Sequence, residues 1–97
     1  MLNLTKTNLY KKELKLMIKR GKDVQKMFNV INLLQHNAKN GIEHHLLLPT
    51  KFKLHKLSGQ YYNYWECHIE TDWLLVYYLD DITLRLERTG THSDIFK

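Results

Sequence analysis

The apolar positions of this chain change period twice along its length, and each change marks an element. Leu2 and Leu4 alternate with polar neighbours from Met1 to Thr5, the period-two pattern of a short edge strand. Thr7 or Asn8 then offers a side-chain oxygen to an orphan amide at a helix start. The helix it opens should run to Arg20 with Tyr10, Leu14, Met17 and Ile18 on one stripe, and Gly21 should end it. Asp23 opens a second helix. Its apolar residues Val24, Met27, Phe28, Ile31 and Leu34 recur at the spacing of one buried face, fading near Asn37. So short a link makes the two a helical hairpin.

Neither period holds from residue 38 to 59, which carry Asn40-Gly41, the only Pro and three of the six histidines. This stretch reads as a long, partly ordered loop. The last 38 residues turn to strand chemistry. From Tyr61 to Glu70, Trp65, Cys67 and Ile69 fall on one face and Tyr64, Glu66 and His68 on the other. Trp73 to Leu79 is nearly all apolar, as a central strand requires, and Asp80-Asp81 turns the chain back. Ile82, Leu84 and Leu86 then face the core along a last strand to Arg88. The expected fold is α+β: a short N-terminal strand, a helical hairpin, then an antiparallel sheet of three to four strands. The helices should lie on one sheet face, leaving the other free.

A length of 97 residues fits one domain spanning 1–97, without repeats or low-complexity stretches. The longest apolar run, Trp73 to Leu79, is far below the ~20 residues of a membrane helix. No basic-then-apolar leader is visible and Cys67 is alone, so a cytoplasmic protein without an intrachain disulfide is expected. Charge is uneven. Residues 1–60 carry 12 Lys and Arg against three acids, whereas residues 61–97 carry three bases against seven acids. A basic half of this kind suits a polyanion such as nucleic acid, or simply a solvated helix face.

Six histidines supply the side chain that titrates nearest neutral pH. His68 should point away from the core and shares its face with Glu66. Asp72 and Trp73 open the central strand nearby. His92 follows Arg88 by four residues, with Gly90 between them to permit a bend. Cations, imidazoles, a carboxylate and exposed aromatics suit RNA cleavage. That chemistry needs a base for the 2′-hydroxyl, a cation for the phosphorane and an acid for the leaving oxygen. Parity is the obstacle: Arg88 falls on the core side with Leu84 and Leu86, so a bulge or strand end must precede it. His44, His45 and His55 raise a rival metal-binding reading, with no ligand spacing to support zinc.

Three composite motifs carry a resemblance. His55-Lys56-Leu57-Ser58-Gly59 reads H-x-L-x-G, His68 to Trp73 reads H-x-x-x-D-W, and Arg88 to Phe96 reads R-x-G-x-H-x-x-x-F. Together they resemble the YafQ branch of the RelE superfamily, toxins of bacterial type II toxin–antitoxin pairs. The resemblance implies a metal-independent endoribonuclease that cuts mRNA in the ribosomal A site by 2′-hydroxyl attack, without a cofactor. It places catalytic roles on His55, His68, Asp72, Arg88 and His92. His92 is then the leading general acid, Asp72 or His68 the base or its orienting partner, and Arg88 the phosphate ligand. Trp73 and Phe96 pack the site or stack on a base, and Lys51, Lys53 and Lys56 join them in binding RNA. The implied partners are a cognate antitoxin, the ribosome with its mRNA, and operator DNA only through the antitoxin, with no membrane. The alternative is an inactive module of the same fold that binds RNA or an antitoxin and acts in autoregulation. Relative to the family, the segment from His36 to Thr50 is long.

Overall fold

The computed structural model describes residues 2–96. Strand β1 (Asn3–Lys6) leads into helices α1 (Asn8–Lys19) and α2 (Val24–Asn37). Strands β2 (His55–Lys56), β3 (Tyr64–Glu70), β4 (Trp73–Leu79) and β5 (Thr83–Gly90) follow, and the short helix α3 (His92–Ile95) comes last. The five strands form one sheet in the order β1-β5-β4-β3-β2, antiparallel except where β1 runs parallel to β5. The α+β reading holds. The four antiparallel strands β2 to β5 match the expected three to four, and the N-terminal strand β1 joins them at the edge as a parallel fifth. Met1, where the first strand was expected to start, lies outside the described residues.

Local chemistry explains the helices. The Thr7 hydroxyl accepts from the Tyr10 amide at 2.9 Å, and the Asp23 carboxylate accepts from the Gln25 amide at 3.0 Å. Gly21 takes φ +89°, the left-handed turn that stops α1. Met27, Val30, Ile31 and Leu34 form the buried stripe of α2, each side chain contributing about 1.5–3 kcal/mol of burial. Two stripe assignments are corrected: Ile18 and Phe28 are exposed, and Val30 takes the place given to Phe28. Both misplaced residues sit one position off the true stripe, where sequence spacing alone discriminates poorly.

The stretch from 38 to 59 is better ordered than a loop. It winds through short 3₁₀ turns at Ala38–Asn40, Ile42–Leu47 and Thr50–Phe52 before reaching β2. His45 anchors it: the ring is buried edge-on to Trp65, and Nδ1 lies 2.8 Å from the Tyr77 hydroxyl. A buried phenol needs a hydrogen-bond partner, and His45 provides it. Burial pulls the His45 pKa down. This removes His45 from the metal-binding reading with His44 and His55.

Sheet parity divides the molecule. Trp65, Cys67, Ile69, Trp73, Leu75, Tyr77, Leu84 and Leu86 face the helices and form the main core. Burial pushes the Cys67 thiol up, so it is an inert core residue. Ile82 does not join this core: it is exposed in the β4–β5 turn, which Asp80 pins by accepting from the Ile82 and Thr83 amides. Nor is the opposite face wholly free. Leu74 and Val76 are covered there by Ile95 of α3, with Leu57, Tyr61 and Tyr64 packed around them. Among the described residues, no helix is long and apolar enough to cross a membrane.

Candidate active site

On the face away from the helices, one cross-strand row runs through four strands. His55 pairs with Glu66, Glu66 with Val76, and Val76 with Arg88. The next row joins His68, Leu74 and Gly90. Arg88 reaches this face through a register shift: Tyr77 pairs with Leu86, but Val76 pairs with Arg88, so Glu87 is the extra residue of a bulge. This is the device that parity demanded.

Helix α3 folds back over the same rows. Thr91 caps it, accepting from the Asp94 amide while the Asp94 carboxylate accepts from the Thr91 amide. Gly90 is needed here for space, not for a bend: a Cβ would meet that of Asp94 at 2.9 Å. Asp94 also receives Arg20 at 2.8 Å, and that guanidinium, with the Thr91 amide, holds its carboxyl down at about 2. With Ile95 seated on Leu74 and Val76, His92 is carried over His68, the two rings 5.5 Å apart.

The buried carboxylate of Glu66 organises the cluster. Its Oε1 lies 3.2 Å from His55 Nε2 and 3.5 Å from His68 Nε2. His55 Nδ1 faces the Lys53 carbonyl at 2.9 Å, so both ring nitrogens of His55 face oxygen acceptors. His92 is held separately: Asp72 Oδ1 accepts from the His92 amide and lies 3.1 Å from its Nδ1. The His92 amide first, then its ring, lowers the Asp72 pKa. An imidazole whose Nδ1–H donates to a carboxylate presents Nε2 for proton transfer. Ligand atoms of Glu66, His68 and His92 lie within 4.8 Å of one another, so the same donors could also hold a cation.

Arg88 closes the other end of the row. Its guanidinium is held by Glu13 and donates from Nη1 to the Tyr61 hydroxyl at 3.1 Å. The hydrogen bonds it donates to Glu13, then the one to Tyr61, raise its pKa further. The Tyr61 ring meets Phe96 at 5.9 Å, and Phe96 meets His92 at 6.3 Å. A continuous chain of rings thus joins Arg88 to the histidines. Beside His68 opens a cleft of 340 Å³ lined by Lys26, Asn29, Lys51, Phe52 and Lys53.

The structure therefore brings together His55, His68, Asp72, Arg88, His92 and Phe96, with Lys51 and Lys53 at the margin. Two residues given substrate-binding roles are placed elsewhere. Trp73 is fully buried on the helix side, its indole N–H donating to the Thr89 hydroxyl at 2.9 Å, so it supports the sheet and offers no ring for stacking. Lys56 pairs with Trp65, on the reverse of its strand from His55, and its ammonium lies over Tyr62. Sequence reasoning gave no role to Glu66, Glu13 or Tyr61. The placing of Glu66 beside His68 on one strand face was the one available signal.

This geometry sits on a known framework. Residues 2–97 match the family described as bacterial toxin of type II toxin–antitoxin system, YafQ. The chain belongs to the YafQ toxin family. It is 42% identical over 87 residues to the mRNA interferase toxin YafQ of Escherichia coli K12, covering 90% of this chain and 87% of that protein. The crystal structure of YafQ from Escherichia coli BL21(DE3) superposes with a TM-score of 0.88 at 35% identity, covering both chains fully. The Escherichia coli DinJ–YafQ complex matches equally completely, with a TM-score of 0.86 at 36% identity. As a YafQ-family toxin, the chain is one half of a type II toxin–antitoxin pair.

Proposed function

We propose that the protein is an mRNA interferase: an endoribonuclease that cuts mRNA on the ribosome and is held inactive by a cognate antitoxin. The observation that carries this reading is the convergence of His55, Glu66, His68 and His92 with Arg88 on one open sheet face. Its relatives add weight, being named as mRNA interferase toxin and, in the DinJ–YafQ complex, as one member of an assembly. The protein acts as one domain in the cytoplasm, where translated mRNA is found.

The reaction uses two proton carriers and one cation. His92 donates to the leaving 5′-oxygen, with Asp72 fixing the ring through Nδ1. Asp72 is therefore the orienting partner of His92 and not the base. The 2′-hydroxyl proton passes to the Glu66-centred cluster, where His68 is the imidazole nearest His92. His55, held between Glu66 and the Lys53 carbonyl, lines the cluster beside His68, and Arg88 is the cation that neutralises the phosphorane. Attack of the 2′-oxygen on phosphorus breaks the bond to the 5′-oxygen, leaving a 2′,3′-cyclic phosphate and a 5′-hydroxyl. The Glu66, His68 and His92 donors serve proton transfer in this reading, so activity should survive chelation.

Primer extension on translated mRNA with purified ribosomes tests it. Discrete cuts that require ribosomes, appear with the wild type and are abolished by the antitoxin are expected. A folded, antitoxin-free protein that leaves the message intact would reduce the chain to a binding module.

A further inference from the structure

Strand β1 ends in register with Leu86, so the outer edge of β5 beyond that point has no strand partner. Helix α1 takes over. Thr7 covers the first positions, its amide donating to the Leu86 carbonyl and its hydroxyl to the Glu87 carbonyl. Glu13 covers the next. Its Oε1 accepts from the Thr89 amide and from Arg88 Nε, both at 3.3 Å, and its Oε2 accepts from Arg88 Nη2 at 2.5 Å. One carboxylate, its side chain only 13% exposed, thus binds main chain and side chain at adjacent residues just past the bulge. The contacts span 75 and 76 residues of sequence.

The direction of the grip matters. Glu13 takes the Nε/Nη2 edge of the guanidinium, and the Nη1 tip points to the Tyr61 hydroxyl, at the start of the ring chain leading to His92. An arginine on a strand face is otherwise a long side chain free to sample many rotamers. We propose that Glu13 is a positioning residue for the cleavage reaction, gripping one edge of Arg88 so that the Nη1 tip is presented to the phosphate. The inference rests on the phosphate role given to Arg88 above. A group aimed in advance costs nothing to orient at the moment of reaction, and a displacement near 1 Å can cost about 10²-fold in rate.

Glu13→Gln keeps the volume and removes the charge. In single-turnover cleavage of ribosome-bound mRNA it should lower kcat by about 10- to 100-fold with KM nearly unchanged. In an Arg88→Lys background, where no fork remains to be held, Glu13→Gln should add little further loss. A wild-type kcat, or an equal fold-loss in both backgrounds, would overturn the proposal. A second readout needs no activity: the Arg88 Nε–H resonance should exchange slowly with solvent in the wild type and much faster in Glu13→Gln. If the wild type cuts nothing, the interferase reading fails by itself, and an Arg88 resonance indifferent to Glu13→Gln would refute the grip independently. Should Glu13→Gln not fold, Glu13→Asp keeps the charge but withdraws the carboxylate by one methylene, and the same kcat loss is expected in smaller degree.

Discussion

His45 and His68 are the same residue on opposite faces of one sheet, and they have opposite consequences. His45 lies on the helix side with a single partner, the Tyr77 hydroxyl, and burial holds its ring neutral. His68 lies on the reverse with a buried carboxylate at one nitrogen and two further imidazoles near its ring. Strand periodicity sends His68 to its face, whereas His45 reaches the helix side from a 3₁₀ turn. On the helix side Trp73 donates to Thr89 and Thr89 to the Leu74 carbonyl, while the buried Tyr10 hydroxyl has no partner among the described residues. On the other side, charged groups are gathered faster than they are satisfied. Function follows the face and not the residue type.

The largest effect should come from deleting the proton donor. His92→Ala is expected to slow cleavage by about 10²- to 10⁴-fold while leaving the melting temperature near wild type, because His92 is half-exposed. Arg88→Ala should cost about 10²- to 10³-fold, read in the same assay. Trp73→Ala should do the reverse of His92→Ala: about 3–5 kcal/mol of stability lost in denaturant titration, with cleavage following the folded fraction. A Trp73→Ala protein that stays fully stable yet ceases to cut would erase the distinction between the faces. His45→Phe, which strands the Tyr77 hydroxyl, should cost about 1–3 kcal/mol and leave the per-molecule rate unchanged.

The smallest effect is a pH dependence. The Asp94 carboxyl is depressed to about 2 in the fold. Its pairing with Arg20 and Thr91 therefore contributes stability above pH 4, which is lost as pH falls towards 2. Asp94→Asn should be slightly less stable at neutral pH and should flatten that acid limb in circular dichroism melts. Since Asp94 also pins α3, the variant should cut more slowly without changing where it cuts.

Much of the fold was legible because period is a local signal. The two helices, the face assignments of β3 and the turn at Asp80 all follow from spacing and capping chemistry. Parity even required a bulge or a strand end before Arg88, because otherwise its charge would enter the core, and the fold uses the bulge. Other features were hidden for physical reasons. Trp73 opens a strand that is apolar on both sides, so parity could not say which face it took. His45 lies in 3₁₀ turns, where neither period assigns a face. Glu13 and Tyr61 reach Arg88 from 75 and 27 residues away, and no local pattern marks such a pairing. The three motifs marked residues that the fold gathers on one face, but the carboxylate at the centre of that gathering, Glu66, lies between them.

The sheet face away from the helices is proposed to cleave RNA by proton transfer between its own side chains. The most direct test is to map the fragment ends produced on ribosome-bound mRNA in the presence of EDTA, with wild type and His92→Ala. The wild type should give 2′,3′-cyclic phosphate and 5′-hydroxyl ends, and the folded variant almost none. Ends bearing 5′-phosphate, cutting that stops with EDTA, or undiminished cutting by His92→Ala would contradict it.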